Sequence, residues 1–282
     1  MKSNKLKKWL AAPYAVWAAG FIIIPLILII LPLLMIIYYG LTSSDGSFTL
    51  DNLLAIGEPI HYKALGQSLL IAFGSTCISL LIAYPLAYIL SKNQGGKKGV
   101  VIMLFILPMW INFLLRVLAL QMILANTGIL NGILNFFGLP SQHLLYTRTA
   151  ILIGMTYDYL PFMILPIYNA MCKIDKDLIH AAADLGAGSR LIFRKIILPL
   201  SMPGVISGII MVFVPSISEF AIADILGGSK ILLIGNVIEQ EFSLTNNWNL
   251  GSGLSIVLMI FIFISMAVMN KNDAKGEGQM IW

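Results

Sequence analysis

Four ionisable side chains lie inside long apolar runs of this 282-residue sequence. They are one base, Arg116, and three acids, Asp158, Glu219 and Asp224. A charged side chain at the centre of a bilayer costs about 3 kcal/mol on insertion scales, and an uncompensated carboxylate otherwise takes up a proton. The formal excess of two negative charges therefore predicts that a cation uses these acids.

A di- or polyamine suits this set of residues. Its separated ammonium groups need separated carboxylates, and its methylene spacers need apolar or aromatic walls. Nearby aromatic rings would each add about 0.5–2 kcal/mol of cation–π attraction. We predict a substrate pathway lined by Trp110, Asp158, Tyr159, Glu219, Phe220 and Asp224.

Two bland alternatives stand beside this prediction. For Arg116 we favour an acidic or carbonyl partner over direct contact with substrate, so one acid would only neutralise it. Asp224 is the acid best placed to be merely interfacial. Glu219 and Asp224 are also about 140° apart on an ideal helix, so they face one cavity only if the helix is distorted, which Pro215 permits.

The composition requires a membrane protein. Hydrophobic residues make up 59% of the chain and charged residues 11%, about half the charge of a soluble domain. A span of the bilayer takes about 20 apolar residues. Six runs reach this length and predict six transmembrane helices in an all-α fold: 14–39, 66–91, 99–124, 149–172, 201–226 and 251–270.

The distribution of Lys and Arg predicts the orientation. With the N-terminus inside, the inner segments hold 14 of these residues and the outer ones three, Lys63, Arg148 and Lys230. This asymmetry predicts that both termini are cytoplasmic. It also accounts for the net charge of +5 without nucleic-acid binding. Within the third run, Pro108, Trp110, Asn112 and Arg116 should face the bundle interior.

Further segments lie between the spans. Residues 126–148 are predicted as an external re-entrant or interfacial helix, and residues 228–250 as an external loop. Residues 93–99, NQGGKKG, and residues 227–230, GGSK, lack the spacing of a phosphate-cradling loop, so no ATP site is predicted on this chain. Cys77 and Cys172 suggest neither a disulfide nor a metal site.

The segment from residue 174 to 204 reads as exposed, basic and structured. Asp175 can cap a short helix with Leu178, Ala182 and Leu185 on one narrow apolar face. Gly186 can end it in a left-handed conformation, Ser189 can cap a second helix, and Pro199 should end the run. We predict a helix–turn–helix docking element beside the membrane.

The same segment resembles the EAA loop of ABC importer permeases, Glu-Ala-Ala, three residues, Gly, nine residues, Ile-x-Leu-Pro. Every spacing fits, and the one departure is a histidine in place of Glu. In that family the loop inserts into the ATP-hydrolysing subunit. The resemblance implies contacts to an ATPase from His180, Ala181, Ala182, Gly186, Ile196, Leu198 and Pro199.

Three other stretches, LPMWINFLLR, YLPFMILPIYNAMCKID and DILGGSKILLIGNVI, resemble permeases of spermidine/putrescine ABC importers of the PotB type. The resemblance implies a MetI-like permease fold and a complex with a PotC-like second permease, two PotA-like ATPases and an extracytoplasmic PotD-like polyamine-binding protein. ATP and Mg would bind to the ATPases, so this chain needs no cofactor and is not an enzyme. It would be a multi-pass protein of the bacterial inner membrane.

These observations divide the chain into a basic lead at 1–12, a permease domain at 13–270 with its core at about 64–270 and its coupling loop at 174–199, and a cytoplasmic tail at 271–282. Two alternatives remain. One is an ABC permease for another solute, such as thiamine, iron or an organophosphonate. The other is a secondary transporter driven by an ion gradient, which would often show repeated halves that this sequence lacks.

Overall fold

The computed structural model describes residues 13–92, 103, 105, 107–228 and 230–277. The predicted basic lead, the glycine-rich turn at 93–99 and the end of the tail lie outside the described residues. The helices are α1 (Pro13–Gly40), α2 (Asp51–Leu54), α3 (Pro59–Lys92), α4 (Phe113–Leu124), α5 (Ile129–Phe136), α6 (Arg148–Cys172), α7 (Lys176–Asp184), α8 (Ser189–Ile192), α9 (Leu198–Ser218), α10 (Ala221–Gly227), α11 (Ile234–Ser243) and α12 (Trp248–Glu277). Short 3₁₀ turns occupy Ala55–Gly57 and Leu107–Trp110. The all-α prediction is confirmed.

Five helical stretches are long and apolar enough to cross a membrane: Pro59–Lys92, Phe113–Phe136, Arg148–Cys172, Ser189–Ser218 and Trp248–Met269. The continuously described apolar part of α1, Pro25–Gly40, is shorter than a span. Helix α6 begins and ends within one residue of the predicted run, and α1 does the same at its described ends.

The chain divides into two compact units. The first contains the described residues up to 57 together with residues 241–257. Within it, the side-chain amide of Asn52 donates to the carbonyls of Gly40 and Thr42, and the amide of Asn249 donates to the carbonyls of Tyr39 and Thr42. These bonds satisfy carbonyls that the end of α1 leaves without helical partners.

The second unit contains residues 58–240 and the chain beyond 257. Helix α6 lies at its centre, where Ile151, Met155, Met163 and Ile167 are fully buried, and α3 and α9 pack against it. The contact of α9 with α6 is close because a side chain at Gly204 would collide with the carbonyl oxygen of Pro166. Small residues permit such approach between membrane helices.

Residues 228–250, predicted as an external loop, contain helix α11, which the sequence analysis did not predict. Its first turn is buried, and the backbone N–H of Ile234 donates to the hydroxyl of Ser68 over 2.9 Å. A short amphipathic helix that packs on the bundle does not have the length of a span, so the hydropathy pattern alone missed it.

The helix–turn–helix at residues 174–199 is present, with two corrections. Asp175 caps α7 by accepting from the N–H of Asp177, and Gly186 has φ of +81°, as predicted. The cap of α8, however, is Gly188, and Ser189 is the first helical residue without a capping bond. Pro199 does not end the run: a π-helical turn at Phe193–Ile197 leads into α9, and Pro199 falls in the first turn of α9. A proline is tolerated in the first turn of an α-helix, so Pro199 lies within α9 instead of ending the run.

Candidate functional site

Arg116 and Asp158 form an ion pair between α4 and α6. The Nη2 of Arg116 lies 2.8 Å from the Oδ1 of Asp158, and the two side chains are 10% and 7% exposed. The two charged groups are close, but the Oδ1 of Asp158 accepts no hydrogen bond of good geometry among the described residues. The Nε of Arg116 also has no hydrogen-bond partner there. Asn112 positions the base, because its side chain caps α4 by accepting from the N–H groups of Leu114 and Leu115.

Glu219 lies at a break between two helices. Helix α9 ends at Ser218, Glu219 is extended with φ of −66° and ψ of 124°, and α10 begins at Ala221. We call Glu219 and Phe220 the helix break. One carboxylate oxygen of Glu219 accepts from the N–H groups of Ala221 and Ile222, and so caps α10. The predicted distortion is therefore a complete interruption, and it begins four residues after Pro215.

The second carboxylate oxygen of Glu219 faces α6. It accepts a hydrogen bond of 2.7 Å from the hydroxyl of Tyr159. Since Asp158 and Tyr159 are adjacent on α6, this helix holds the ion pair and the helix break side by side.

Asp224 is held by a residue that the sequence analysis did not single out, Asn236. The Nδ2 of Asn236 donates to the Oδ1 of Asp224 over 2.7 Å and to the carbonyl of Phe220 over 3.0 Å. Its Oδ1 accepts from the N–H of Leu233. The signal was an amide in an apolar stretch, LLIGNVI, which must find partners when it is buried.

Close packing fixes the geometry of the break. A side chain at Gly235 of α11 would collide with the carbonyl oxygen of Ser218, the last residue of α9. Similarly, a side chain at Gly154 of α6 would collide with Leu226 and Ile222 of α10. The break is thus held between α6 and α11.

The predicted pathway residues divide into two groups by exposure. Asp158 and Tyr159 are buried within the chain, whereas Glu219 and Asp224 are partly exposed. Phe220 is 43% exposed and Trp110 is 77% exposed. Trp110 and Asn112 are exposed on the described chain, because the helix is interrupted at residues 111–112 and Asn112 is used as the cap of α4. The structure brings Asp158, Tyr159, Glu219 and Arg116 together and holds Phe220 and Asp224 through Asn236.

The predicted coupling residues lie on the surface of the helix–turn–helix. Helix α7 buries no residue, and its apolar side chains Leu178 and Leu185 are 51% and 89% exposed. His180 and Ala181 are exposed, as are Gly186 and Pro199, whereas Ala182, Ile196 and Leu198 are partly buried. This is an apolar helix face without a partner in the described chain.

The fold is that of a helical membrane protein with two partly exposed acids, Glu219 and Asp224, near a break in a membrane helix. Comparison with known proteins identifies the family. Residues 75–275 match the family described as binding-protein-dependent transport system inner membrane component. The chain belongs to this family, and it is a multi-pass protein of the bacterial inner membrane.

Individual relatives sharpen the assignment. The chain is 37% identical to the spermidine/putrescine transport system permease protein PotB of Haemophilus influenzae, over 93% of each chain. It is 38% identical to the protein of the same description from Escherichia coli, over 85% of this chain and 90% of that one. A crystal structure of a bacterial alginate ABC transporter, in complex with an alginate pentasaccharide-bound periplasmic protein, superposes with a TM-score of 0.76 over 95% of each chain at 15% identity. The last comparison confirms the ABC importer permease fold.

Proposed function

We propose that this chain is the permease subunit of an ATP-driven importer of spermidine or putrescine, and that it forms half of the translocation pathway. The similarity to two polyamine permeases supports the substrate class. The observation that carries the proposal is the helix break. Glu219 of the break and Asp224 in the following helix α10 are partly exposed, and neither forms an ion pair with a base of the described chain.

The structure favours a division of roles among the three acids. A side chain buried within one chain cannot also line a pathway shared with a second chain, unless the first chain opens. We therefore assign Asp158 to the neutralisation of Arg116, and Glu219 with Asp224 to cation recognition. Phe220 and Trp110 are exposed and serve as walls, while Tyr159 positions the Glu219 carboxylate.

The carboxylate of Glu219 keeps capacity for a substrate. An ionised carboxylate offers about four acceptor sites, and the described contacts of Glu219 are three. An ammonium group can thus bind without displacing the cap of α10. Discontinuous helices are a recurrent site of substrate and ion binding in transporters, because they expose polar groups at membrane depth.

The leading alternative is a permease for another solute. A bacterial ABC transporter with the same fold is involved in the import of the acidic polysaccharide alginate, so the fold does not decide the substrate. Thiamine is a cation and would also use the acids, whereas an organophosphonate would be repelled by them. Competition of labelled putrescine uptake by each solute separates these cases, because only a recognised solute reduces uptake.

The central experiment replaces each acid by its amide. Glu219→Gln and Asp224→Asn keep the volume and remove the charge, so uptake of spermidine or putrescine should fall at least tenfold while the complex assembles normally. Asp45→Asn, an exposed acid of the loop after α1, is the matched control and should transport as the parent does. Unchanged uptake in both amide variants would refute the site.

The partners follow from the family and from the exposed face of α7. We propose a second permease, two ATPases that bind ATP and Mg, and an extracytoplasmic polyamine-binding protein. Helix α7 would insert into an ATPase through Leu178 and Leu185.

Gly186→Val should release the ATPase, because the left-handed conformation costs a residue with a Cβ about 1–2 kcal/mol. Gly188→Val, at a glycine with φ of −68°, is the control, and equal recovery of ATPase with both variants would contradict the docking role.

Six spans and two cytoplasmic termini remain our proposal for the topology. After replacement of Cys77 and Cys172 by serine, single cysteines at Ser189 and Ser141 are treated with an impermeant maleimide in intact cells. Both positions are exposed in the structure. Ser141→Cys should react and Ser189→Cys should not; the opposite pattern would reverse the orientation.

A further inference from the structure

A cavity lined by basic and apolar side chains lies away from the helix break, where two membrane helices end. It has a volume of about 440 Å³. The last residues of α3 and α6 form one side, and α7 forms another. Its lining residues include Tyr88, Ser91, Lys92, Met171, Cys172 and Ile174, together with Lys176, Ile179, His180 and Ile197.

The ionisable side chains that line this cavity are basic, apart from a tyrosine and a cysteine. Lys92 and Lys176 are cationic, His180 becomes so on protonation, and no acid is among the lining residues. The Nζ of Lys92 lies 4.3 Å from the centroid of the Tyr88 ring. None of the three basic side chains forms an ion pair within the described chain. The cavity therefore offers two ammonium groups to an anion, whereas the hydroxyl of Ser91 already donates to the carbonyl of Tyr88 over 2.9 Å.

The apolar part of the lining narrows the choice of anion. Met171, Ile174, Ile179 and Ile197 complete the wall. A free phosphate would gain nothing from these side chains, whereas the glycerol and first methylenes of a lipid would bury against them. Basic pockets between membrane helices on the cytoplasmic side are typical sites for anionic lipid headgroups.

We propose that this cavity binds the phosphodiester headgroup of an anionic phospholipid of the inner leaflet. Lys92 and Lys176 contact the phosphodiester, His180 donates to it, and the isoleucines contact the glycerol end. The choice of leaflet rests on the orientation proposed above. The lipid holds α7 against the ends of α3 and α6.

The proposal gives His180 a role separate from ATPase docking. On an ideal helix of about 3.6 residues per turn, Lys176, Ile179 and His180 share one face. Leu178, Ala182 and Leu185 share another, about 150° away. The cavity face turns toward the bundle, and the leucine face stays exposed. A bound lipid and a docked ATPase can therefore occupy α7 together.

The test counts lipid bound to the purified membrane complex. The complex is placed in nanodiscs of phosphatidylcholine with a titrated fraction of phosphatidylglycerol, and retained phosphatidylglycerol is measured by native mass spectrometry. The pair Lys92→Gln and Lys176→Gln should weaken retention about 25-fold, since each lysine contributes a factor of about five at an anionic surface. Lys173→Gln, an exposed neighbour outside the cavity, should retain the lipid as the parent does.

A second variant covers the case in which the double substitution disturbs folding. His180→Glu lies on α7, which buries no residue, and it places a carboxylate in the cavity. It should also lose phosphatidylglycerol, whereas Leu178→Asp on the opposite face should keep it. Equal retention by parent, double variant and His180→Glu would overturn the proposal. Displacement of the lipid by inorganic phosphate, with phosphate bound in its place, would overturn the choice of a lipid.

Discussion

The ion pair and the helix break hold acids of the same chemistry in opposite ways. Asp158 is buried and matched by Arg116 at 2.8 Å. Glu219 is partly exposed, and its partners are a hydroxyl and two backbone N–H groups. The first acid is compensated by a full charge and the second only by dipoles. The charge at Glu219 is therefore available to an incoming cation, while that at Asp158 is already used.

The same contrast separates stability from transport. Removing one partner of a buried pair leaves an uncompensated charge, so it should affect folding first. Removing the charge of a partly exposed carboxylate, which is bound only by a hydroxyl and backbone N–H groups, leaves no buried charge uncompensated. It should therefore affect substrate uptake before it affects folding. The comparison would be contradicted if a substitution at Asp158 affected only uptake, or if a substitution at Glu219 affected only stability.

The largest effect is expected at the ion pair. Asp158→Asn leaves the Arg116 guanidinium buried without a counter-charge, which should destabilise the fold by about 3–5 kcal/mol. The measurement is the unfolding midpoint of the purified complex in detergent, with uptake assayed in parallel.

The control for this substitution removes both charges. Arg116→Met with Asp158→Leu keeps the interior filled, and replacement of a buried pair by apolar residues is often neutral. We expect stability and uptake to recover together. Recovery of stability alone, with no uptake, would make Asp158 a substrate ligand and so break the comparison.

The next effect is expected where α11 presses on the helix break. Gly235→Ala places a methyl group against the carbonyl oxygen of Ser218, so the end of α9 must shift. Overpacking of this kind costs about 1–3 kcal/mol, and the displaced Glu219 should raise the KM for polyamine. Gly132→Ala on α5 meets nothing within 4 Å and is the control. Loss of stability with unchanged KM would show that Glu219 does not bind substrate.

The local features of the fold were accessible from the sequence. Helix α6 follows from a run of apolar residues, and the turn after α7 follows from Gly186, which adopts the φ of +81° that glycine favours. Both depend on residues close in the chain. The same logic misplaced the end of the run at Pro199, because the π turn before it is an irregular feature that no composition signal marks.

The candidate site was accessible only as a set of residue types. That Arg116 would need an acidic or carbonyl partner follows from its place in an apolar run, but which acid it finds depends on how α4 packs on α6. The role of Asn236 depends on α11, a helix that hydropathy did not indicate. Exposure also decided the roles of the acids, and exposure is a property of packing.

The smallest effect tests whether α6 positions the carboxylate at the break. Tyr159→Phe removes the hydroxyl that donates to Glu219 over 2.7 Å and leaves the ring in place. Glu219 stays partly solvated, so the free energy of substrate binding should fall by only about 1 kcal/mol. We expect a rise in KM of about fivefold at constant assembly, because 1 kcal/mol of binding corresponds to that factor. Tyr157→Phe, at the exposed neighbouring position, should leave KM unchanged. An equal rise in both variants would assign the effect to the aromatic surface of α6, and no rise in either would mean that Glu219 is held by the cap of α10 alone.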